Sequence, residues 1–113
     1  MPLSVESEDR GPITIIRLSG DLAMGRDSQQ VENTVTDLLQ RGRINLVLDL
    51  GGVAGIDSTG VGIVSFSFSK VKERGGHLRV AGGKGAVRDV FRVTLLDTLV
   101  PFHESVDAAV ASF

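Results

Sequence analysis

The order of apolar and polar residues along the chain predicts alternating strands and helices. Short apolar or alternating runs are typical of strands, and they lie at 3–8, 13–18, 44–50 and 77–81. Apolar residues that recur every three or four positions are typical of helices, and they lie at about 26–42, 58–74 and 85–94. A short extended piece at 99–102 and a last helix, capped by Ser105, complete the order.

This order of elements predicts an α/β fold with one mixed sheet. The strands at 3–8 and 13–18 are joined by a turn at 9–12 and form an antiparallel hairpin. The strands at 13–18, 44–50 and 77–81 are each separated by one helix, so right-handed crossovers make them parallel. We expect four to five strands with a parallel core and an antiparallel edge strand. About four helices accompany them, and all 113 residues form a single domain.

The edge of the sheet where the parallel strands end is the predicted functional surface. The strands at 13–18 and 44–50 point the same way, so the segments that follow them emerge side by side. One of these segments contains Asp21, and the other runs from Asp57 to Gly62. Ligands and partners of open α/β sheets bind at this edge.

The segment that opens the 58–74 helix combines hydroxyl groups with glycines. Asp57 and Ser58 are residue types that cap a helix, because their side-chain oxygens accept its first N–H groups. Ser58 and Thr59 then lie at the positive end of the helix dipole. We expect Gly60 and Gly62 to leave the backbone open to a partner or a phosphate.

The same helix has two predicted faces. The inward positions follow helical spacing and are Val61, Val64, Phe68 and Val71. Gly62, Ile63 and Phe66 fall toward the opposite face, where an exposed aromatic ring would make a small contact patch. The alternative, in which another helix or the C-terminal segment covers Phe66, stays open.

Composition excludes several classes of function. The chain has no cysteine, which removes disulfides and thiol chemistry and fits a reducing compartment. Its net charge is −2, so it lacks the basic field that nucleic acid attracts. No apolar run approaches the roughly 20 residues of a membrane helix, and the N-terminus lacks the features of a signal peptide. We therefore expect a soluble cytoplasmic protein that binds neither nucleic acid nor membrane.

Other motifs do not support catalysis or cofactor binding. The glycines at 82–85 lack the spacing of a phosphate-binding loop, and those at 51–55 lie before the helix instead of opening it. His77 and His103 are far apart in the sequence and have no cysteine beside them, so we expect ordinary surface or loop histidines. Asp49 lies on a strand, which argues against an acid–base pair with Asp57. We expect no metal, no cofactor and no catalytic residue.

Ser58 has two interpretations. It is either a hydroxyl that caps the helix or a hydroxyl that is modified. A phosphate there would add about −1.5 to −2 charges, and a helix N-terminus tolerates an anion well. The charge would instead weaken the binding of a partner whose surface fits a neutral hydroxyl.

Several segments resemble the STAS domain, and more narrowly the bacterial anti-sigma-factor antagonists. They are Ile16–Leu22, Leu46–Leu50, Ile56–Gly60 and the later positions Phe91, Leu95, Leu96 and 106–109. The resemblance implies that Ser58 is the phosphorylation site. Two positions depart from the family pattern: Ala23 stands where an aspartate is frequent, and Leu95 where a glycine is frequent.

The resemblance also implies a partner-switching role in transcription regulation and stress response. The unphosphorylated chain binds an anti-sigma factor that is also a serine kinase, phosphorylation of Ser58 ends the binding, and a PP2C-type phosphatase resets it. The chain itself is then a phosphoprotein and not an enzyme, and a monomer is the simplest expectation. The expected partner-binding residues are Asp21, Asp57, Ser58, Thr59, Gly60, Gly62, Ile63 and Phe66.

Two other functions remain open. One is a STAS scaffold, either a subunit of a lipid-transport ABC complex or part of a stress-sensing assembly. The other is a small nucleotide-binding domain that uses the glycine-rich turns. An intact Ser58 favours the switching role over the scaffold, and the missing phosphate-binding motif counts against the nucleotide-binding domain.

Overall fold

The computed structural model describes residues 2–25 and 28–113. Within them lie five strands: β1 (Ser4–Arg10), β2 (Ile13–Leu22), β3 (Asn45–Ile56), β4 (His77–Ala81) and β5 (Phe102–His103). The same residues form four α-helices: α1 (Gln29–Gln40), α2 (Ser58–Glu73), α3 (Gly85–Val93) and α4 (Val106–Ala111). A short 3-10 turn at Leu96–Thr98 follows α3.

The five strands form one sheet in the order β1-β2-β3-β4-β5. β1 and β2 pair antiparallel, and the pairs β2–β3, β3–β4 and β4–β5 are parallel. The predicted mixed sheet with a parallel core and an antiparallel edge strand is therefore confirmed. Each crossover advances by one strand in the same direction, so the right-handed rule places α1, α2 and α3 on one face of the sheet.

The larger core lies between that face and these three helices. Alternate strand residues such as Ile16, Leu48 and Val80 point into it and are fully buried. Each helix contributes an apolar stripe, which includes Val35 of α1 and Phe91 of α3. On the opposite face a smaller cluster joins α4 to the sheet and contains Ile13, Ile15, Val47, Ala81 and Ala109.

β2 and β3 are longer than the sequence pattern predicts. The expected strands end at 18 and 50, and the expected turn covers 51–55, but pairing continues to Leu22 and Ile56. The glycines allow this close pairing, since a Cβ atom on Gly52 would lie 2.9 Å from the Ser19 Cβ atom. β4 pairs with β3 only as far as Asp49. Residues 20–22 and 53–56 thus form a two-stranded extension of the sheet, here called the β2–β3 ribbon.

The remaining boundaries follow the prediction with small shifts. α1 begins at Gln29 instead of about 26, a position that lies outside the described residues. The last helix begins as expected, because the Ser105 hydroxyl accepts a hydrogen bond from the Ala108 N–H at 3.1 Å. The predicted extended piece at 99–102 is wrong in its first part, since Leu99 closes the 3-10 turn and β5 begins only at Phe102.

Candidate functional site at the start of α2

Asp57 caps α2, as the sequence predicts. Its backbone is extended, with φ −119° and ψ −172°, which places it just outside the helix. Its Oδ1 atom accepts a hydrogen bond from the Gly60 N–H at 3.0 Å, and its carbonyl accepts one from the Val61 N–H at 3.0 Å. The carboxylate therefore satisfies one of the N–H groups that a helix start leaves without a partner.

The second oxygen of the same carboxylate binds the loop that follows β2. Asp57 Oδ2 accepts a hydrogen bond from the Met24 N–H at 3.0 Å. The Asp57 N–H donates in turn to the Leu22 carbonyl at 3.4 Å. One side chain thus joins the end of the β2–β3 ribbon to the start of α2, and the predicted meeting of these two segments is confirmed.

These hydrogen bonds favour the ionised form of Asp57. The N–H groups of Met24 and Gly60 stabilise the ionised carboxylate and lower the pKa of Asp57 below its ordinary value of 3.8. This partly exposed cap is an anion at neutral pH. It offsets part of the positive potential at the N-terminus of α2.

Ser58 is the first residue of α2, and its side chain is exposed. Because Asp57 provides the cap, the Ser58 hydroxyl is not needed for that purpose. Thr59, the next residue, is partly exposed. The site therefore presents an accessible hydroxyl directly beside an anionic cap.

The two glycines of the site have different environments. A Cβ atom on Gly60 would lie 2.1 Å from the Leu22 carbonyl oxygen and 2.7 Å from Ile56 Cγ1. Gly60 is buried, so the expectation that its backbone is open to a partner is wrong. It is the point where α2 contacts the β2–β3 ribbon. Gly62 is exposed, and a Cβ atom there would have nothing within 4 Å.

The predicted faces of α2 need a correction at Ile63. This side chain is only 4% exposed and belongs to the larger core, so its assignment to the outward face is wrong. The buried stripe of α2 is wider than the spacing suggested because the helix packs against both the sheet and α1. Ser67 lies in this stripe, and its hydroxyl donates to the Ile63 carbonyl at 2.8 Å. Phe66 is half-buried, with the Lys70 ammonium 5.5 Å from its ring centre.

Sequence reasoning missed one prominent side chain at this edge. Met24 is 81% exposed, although its backbone N–H is held by Asp57. It lines a surface cavity of about 210 Å³ together with Leu3, Asp21 and Ser28. Asp21 is partly exposed and lies opposite Gly55 in the β2–β3 ribbon. Loop composition around Met24 gave no sign that its side chain would point outward.

The other motifs have ordinary structural roles. The glycines at 82–85 form a tight strand-to-helix turn, in which Gly82, Gly83 and Gly85 have positive φ angles. Within the described residues, His, Asp and Glu side chains form no group of three or more that would suit a metal ion. Every helix in the described part of the chain is too short or too polar to cross a bilayer.

Comparisons with known proteins identify the family of the chain. The STAS domain model matches residues 4–109. The anti-sigma F factor antagonist of Paenibacillus polymyxa is 26% identical over 106 residues, which cover 93% of this chain and 90% of the relative.

Solved structures share the same fold. An anti-sigma factor antagonist from Mycobacterium paratuberculosis has a TM-score of 0.84 at 22% identity, over 97% of this chain and 92% of that one. The Bacillus cell fate determinant SpoIIAA in its phosphorylated form has a TM-score of 0.75 at 18% identity, over 97% of this chain and 100% of that one. Since the family model covers nearly the whole sequence, the chain belongs to the STAS domain family.

Proposed function

We propose that the chain is an anti-sigma-factor antagonist whose binding is switched by phosphorylation of Ser58. The general role is supported by the names of its relatives in Paenibacillus and Mycobacterium. The observation that carries the switch is the exposed Ser58 hydroxyl at the first position of α2. A kinase needs access to that oxygen, and the structure supplies it.

The domain should tolerate the modification. A phosphate on Ser58 would lie at the N-terminus of a 16-residue helix, where the helix dipole and the first N–H groups favour an anion. The neighbouring Asp57 carboxylate works against this, because two anions side by side repel each other. The two effects oppose each other, so we expect little change in folding stability. The fold is shared with a protein solved in its phosphorylated form, which fits this expectation.

The anti-sigma factor should not tolerate a phosphate on Ser58. A surface that packs on the neutral hydroxyl would have to remove a phosphate of about −1.5 to −2 charges from water. Desolvation costs several kcal/mol for a buried ion that lacks a matching cation. The added charge would also lie beside the Asp57 anion, so the modified site would repel any carboxylate of the partner.

In this proposal the chain is a substrate and not an enzyme. An anti-sigma factor that is also a serine kinase binds the edge formed by Asp21, Asp57, Ser58, Thr59 and Gly62, with Phe66 at the border of the contact. It transfers a phosphate from ATP to Ser58, and a PP2C-type phosphatase removes it. Gly60 and Ile63 act indirectly, because both are buried and position the surface around them.

Phosphorylation and binding assays test the proposal. The chain is incubated with ATP and the anti-sigma-factor kinases of its own organism, and intact mass and peptide mapping locate the product. We expect one phosphate, on Ser58, and none on Ser58→Ala. Labelling at another residue, or none with any of these kinases, would contradict the proposed switch.

Binding of the anti-sigma factor to Ser58→Asp and Ser69→Asp separates the effect of charge at Ser58 from the effect of total charge. Ser58→Asp should weaken binding at least tenfold, whereas Ser58→Ala should bind like the wild type. Ser69→Asp is a matched control, since Ser69 is exposed on the same helix but three turns away. Equal weakening by both aspartates would show that total charge matters instead of charge at this site. Wild-type affinity of Ser58→Asp would refute the switch.

A further inference from the structure

The end of the domain opposite Ser58 carries three exposed apolar side chains. Val93, Leu95 and Leu99 are 79%, 65% and 53% exposed. Single exposed apolar residues are common on protein surfaces, but three within seven residues form a patch. α3 starts where the parallel strands end and runs back along the sheet, so this patch lies at the edge where those strands begin.

Leu95 occupies an unusual backbone conformation. Its φ is +61°, and within the described residues it is the one non-glycine residue in the left-handed region. Glycine adopts this conformation freely, whereas a leucine is strained in it. Most of the side chain is also left in water, so core packing does not explain a leucine here. Conflicts between local preference and structure occur most often at functional positions.

A small groove lies beside Leu99. It has a volume of about 130 Å³, and its apolar lining comes from Phe68, Leu78, Leu99 and Pro101. Sites for small organic ligands have volumes of roughly 300–1,000 Å³. The groove therefore suits a single side chain of another protein better than a free small molecule.

The rim of the groove is basic. Lys72, His77 and Arg79 line it, and within the described residues none of the three forms an ion pair with a carboxylate. The Arg79 guanidinium instead bonds to the Ser112 hydroxyl at 2.9 Å and lies over the Phe113 ring. Most other cationic side chains are paired with carboxylates, namely Arg10, Arg17, Arg41, Arg43, Lys70 and Arg92. Arg74, Lys84 and Arg88 also lack a carboxylate partner within the described residues. The lining of this groove contains two unpaired cations, Lys72 and Arg79, and no carboxylate, in a chain whose net charge is −2.

We propose that the groove and the exposed patch dock an acidic segment of another protein. An apolar side chain of that segment enters the groove beside Leu99, and the flanking aspartate or glutamate residues face Lys72 and Arg79. Charge complementarity of this kind selects the partner and speeds association. The surface is separate from Ser58, so the chain would hold this partner in either state of the proposed switch.

Fluorescence anisotropy with labelled peptides tests the proposal. The probes are ten-residue peptides in which leucine or phenylalanine alternates with aspartate and glutamate, and the controls carry asparagine and glutamine instead. We expect the acidic peptides to bind at least tenfold more tightly than the controls, with affinity that falls as salt rises.

Variants locate the binding. Lys72→Glu and Leu99→Ala should each weaken the acidic peptides at least fivefold. Lys84→Glu is the matched control, because Lys84 is exposed at the opposite end of α3, and it should leave binding within twofold. Ser58→Asp should also leave binding unchanged, which separates this proposal from the phosphorylation switch. Circular dichroism of each variant shows that it is folded.

Several results would overturn the proposal. These are no binding of any acidic peptide at about 1 mM, equal binding of the uncharged peptides, or no effect of Lys72→Glu. Self-association that Leu99→Ala abolishes would assign the patch to a second copy of the chain. Displacement of the peptides by a single-stranded oligonucleotide of higher affinity would assign it to nucleic acid.

Discussion

Two glycines on α2 provide a sharp test of how the candidate site is built. Gly60 and Gly62 lie on the same helix, two residues apart, and the same substitution to alanine should have opposite effects on stability. At Gly60 the new methyl group would lie 2.1 Å from the carbonyl oxygen of Leu22. At Gly62 it would meet nothing within 4 Å.

The magnitudes follow from these distances. At Gly60 the contact must lengthen by about 0.9 Å to reach 3.0 Å, the shortest separation that real Cβ atoms show. Overpacking costs about 1–3 kcal/mol, and the upper value applies because a backbone carbonyl cannot rotate away as a side chain can. Alanine regains about 1 kcal/mol over glycine through helix propensity. We therefore expect Gly60→Ala to lose about 2 kcal/mol and Gly62→Ala to gain up to about 1 kcal/mol.

Urea denaturation followed by far-ultraviolet circular dichroism measures both changes. The chain has no tryptophan or tyrosine, so intrinsic fluorescence is unsuitable. In thermal denaturation, each kcal/mol of change in the free energy of unfolding should move the midpoint temperature of a domain of this size by about 4 °C. The denaturant slope should stay constant if only the native contact changes. If Gly60→Ala unfolds at the same urea concentration as the wild type or a higher one, α2 does not rest against the β2–β3 ribbon as described.

Three further predictions test other parts of the structure. Leu95→Gly should stabilise the fold by about 0.5–1 kcal/mol in urea denaturation, because glycine removes the strain of the left-handed conformation; a loss would show that the leucine side chain packs. Ile63→Ala should lower the free energy of unfolding by about 2–5 kcal/mol. Phe66→Ala should lower it clearly less, but it should weaken binding of the anti-sigma factor in a binding assay. Equal losses of stability would contradict the corrected faces of α2. Asp57 has a lowered pKa in the folded state, so its contribution to stability is present above about pH 4 and is lost as pH falls through the folded-state pKa. Urea midpoints measured from neutral to acid pH should therefore fall less steeply in Asp57→Asn than in the wild type, and parallel curves would count against this role of the carboxylate.

The sequence predicts the parallel core well because its signals are local. Apolar runs such as 77–81 and the helical spacing of Val64 and Val71 are visible without any tertiary information. The caps at Asp57 and Ser105 are equally local, since each depends on a side-chain oxygen three residues before a backbone N–H. Segments of this kind make up most of the fold, and their predicted positions are close to those observed.

The errors arise where distant parts of the chain decide the outcome. The glycines at 51–55 resemble a turn in isolation, and only the presence of β2 beside them makes this segment a strand. Gly60 resembles an open backbone position, but the Leu22 carbonyl occupies the space next to it. Ile63 is buried in the larger core because α2 packs against both the sheet and α1, which helical spacing alone does not reveal. Each correction involves a neighbour more than six residues away.

The β2–β3 ribbon also has a consequence for the motion of the domain. Beyond Asp49, β3 has left its ladder with β4, and beyond Ser19, β2 has left its ladder with β1. Opening this tip therefore breaks one strand ladder and its contacts with the start of α2, so its amide hydrogens should exchange with solvent by local excursions that leave the central strands intact. The tip can thus adjust its shape to a bound partner faster than the whole domain unfolds.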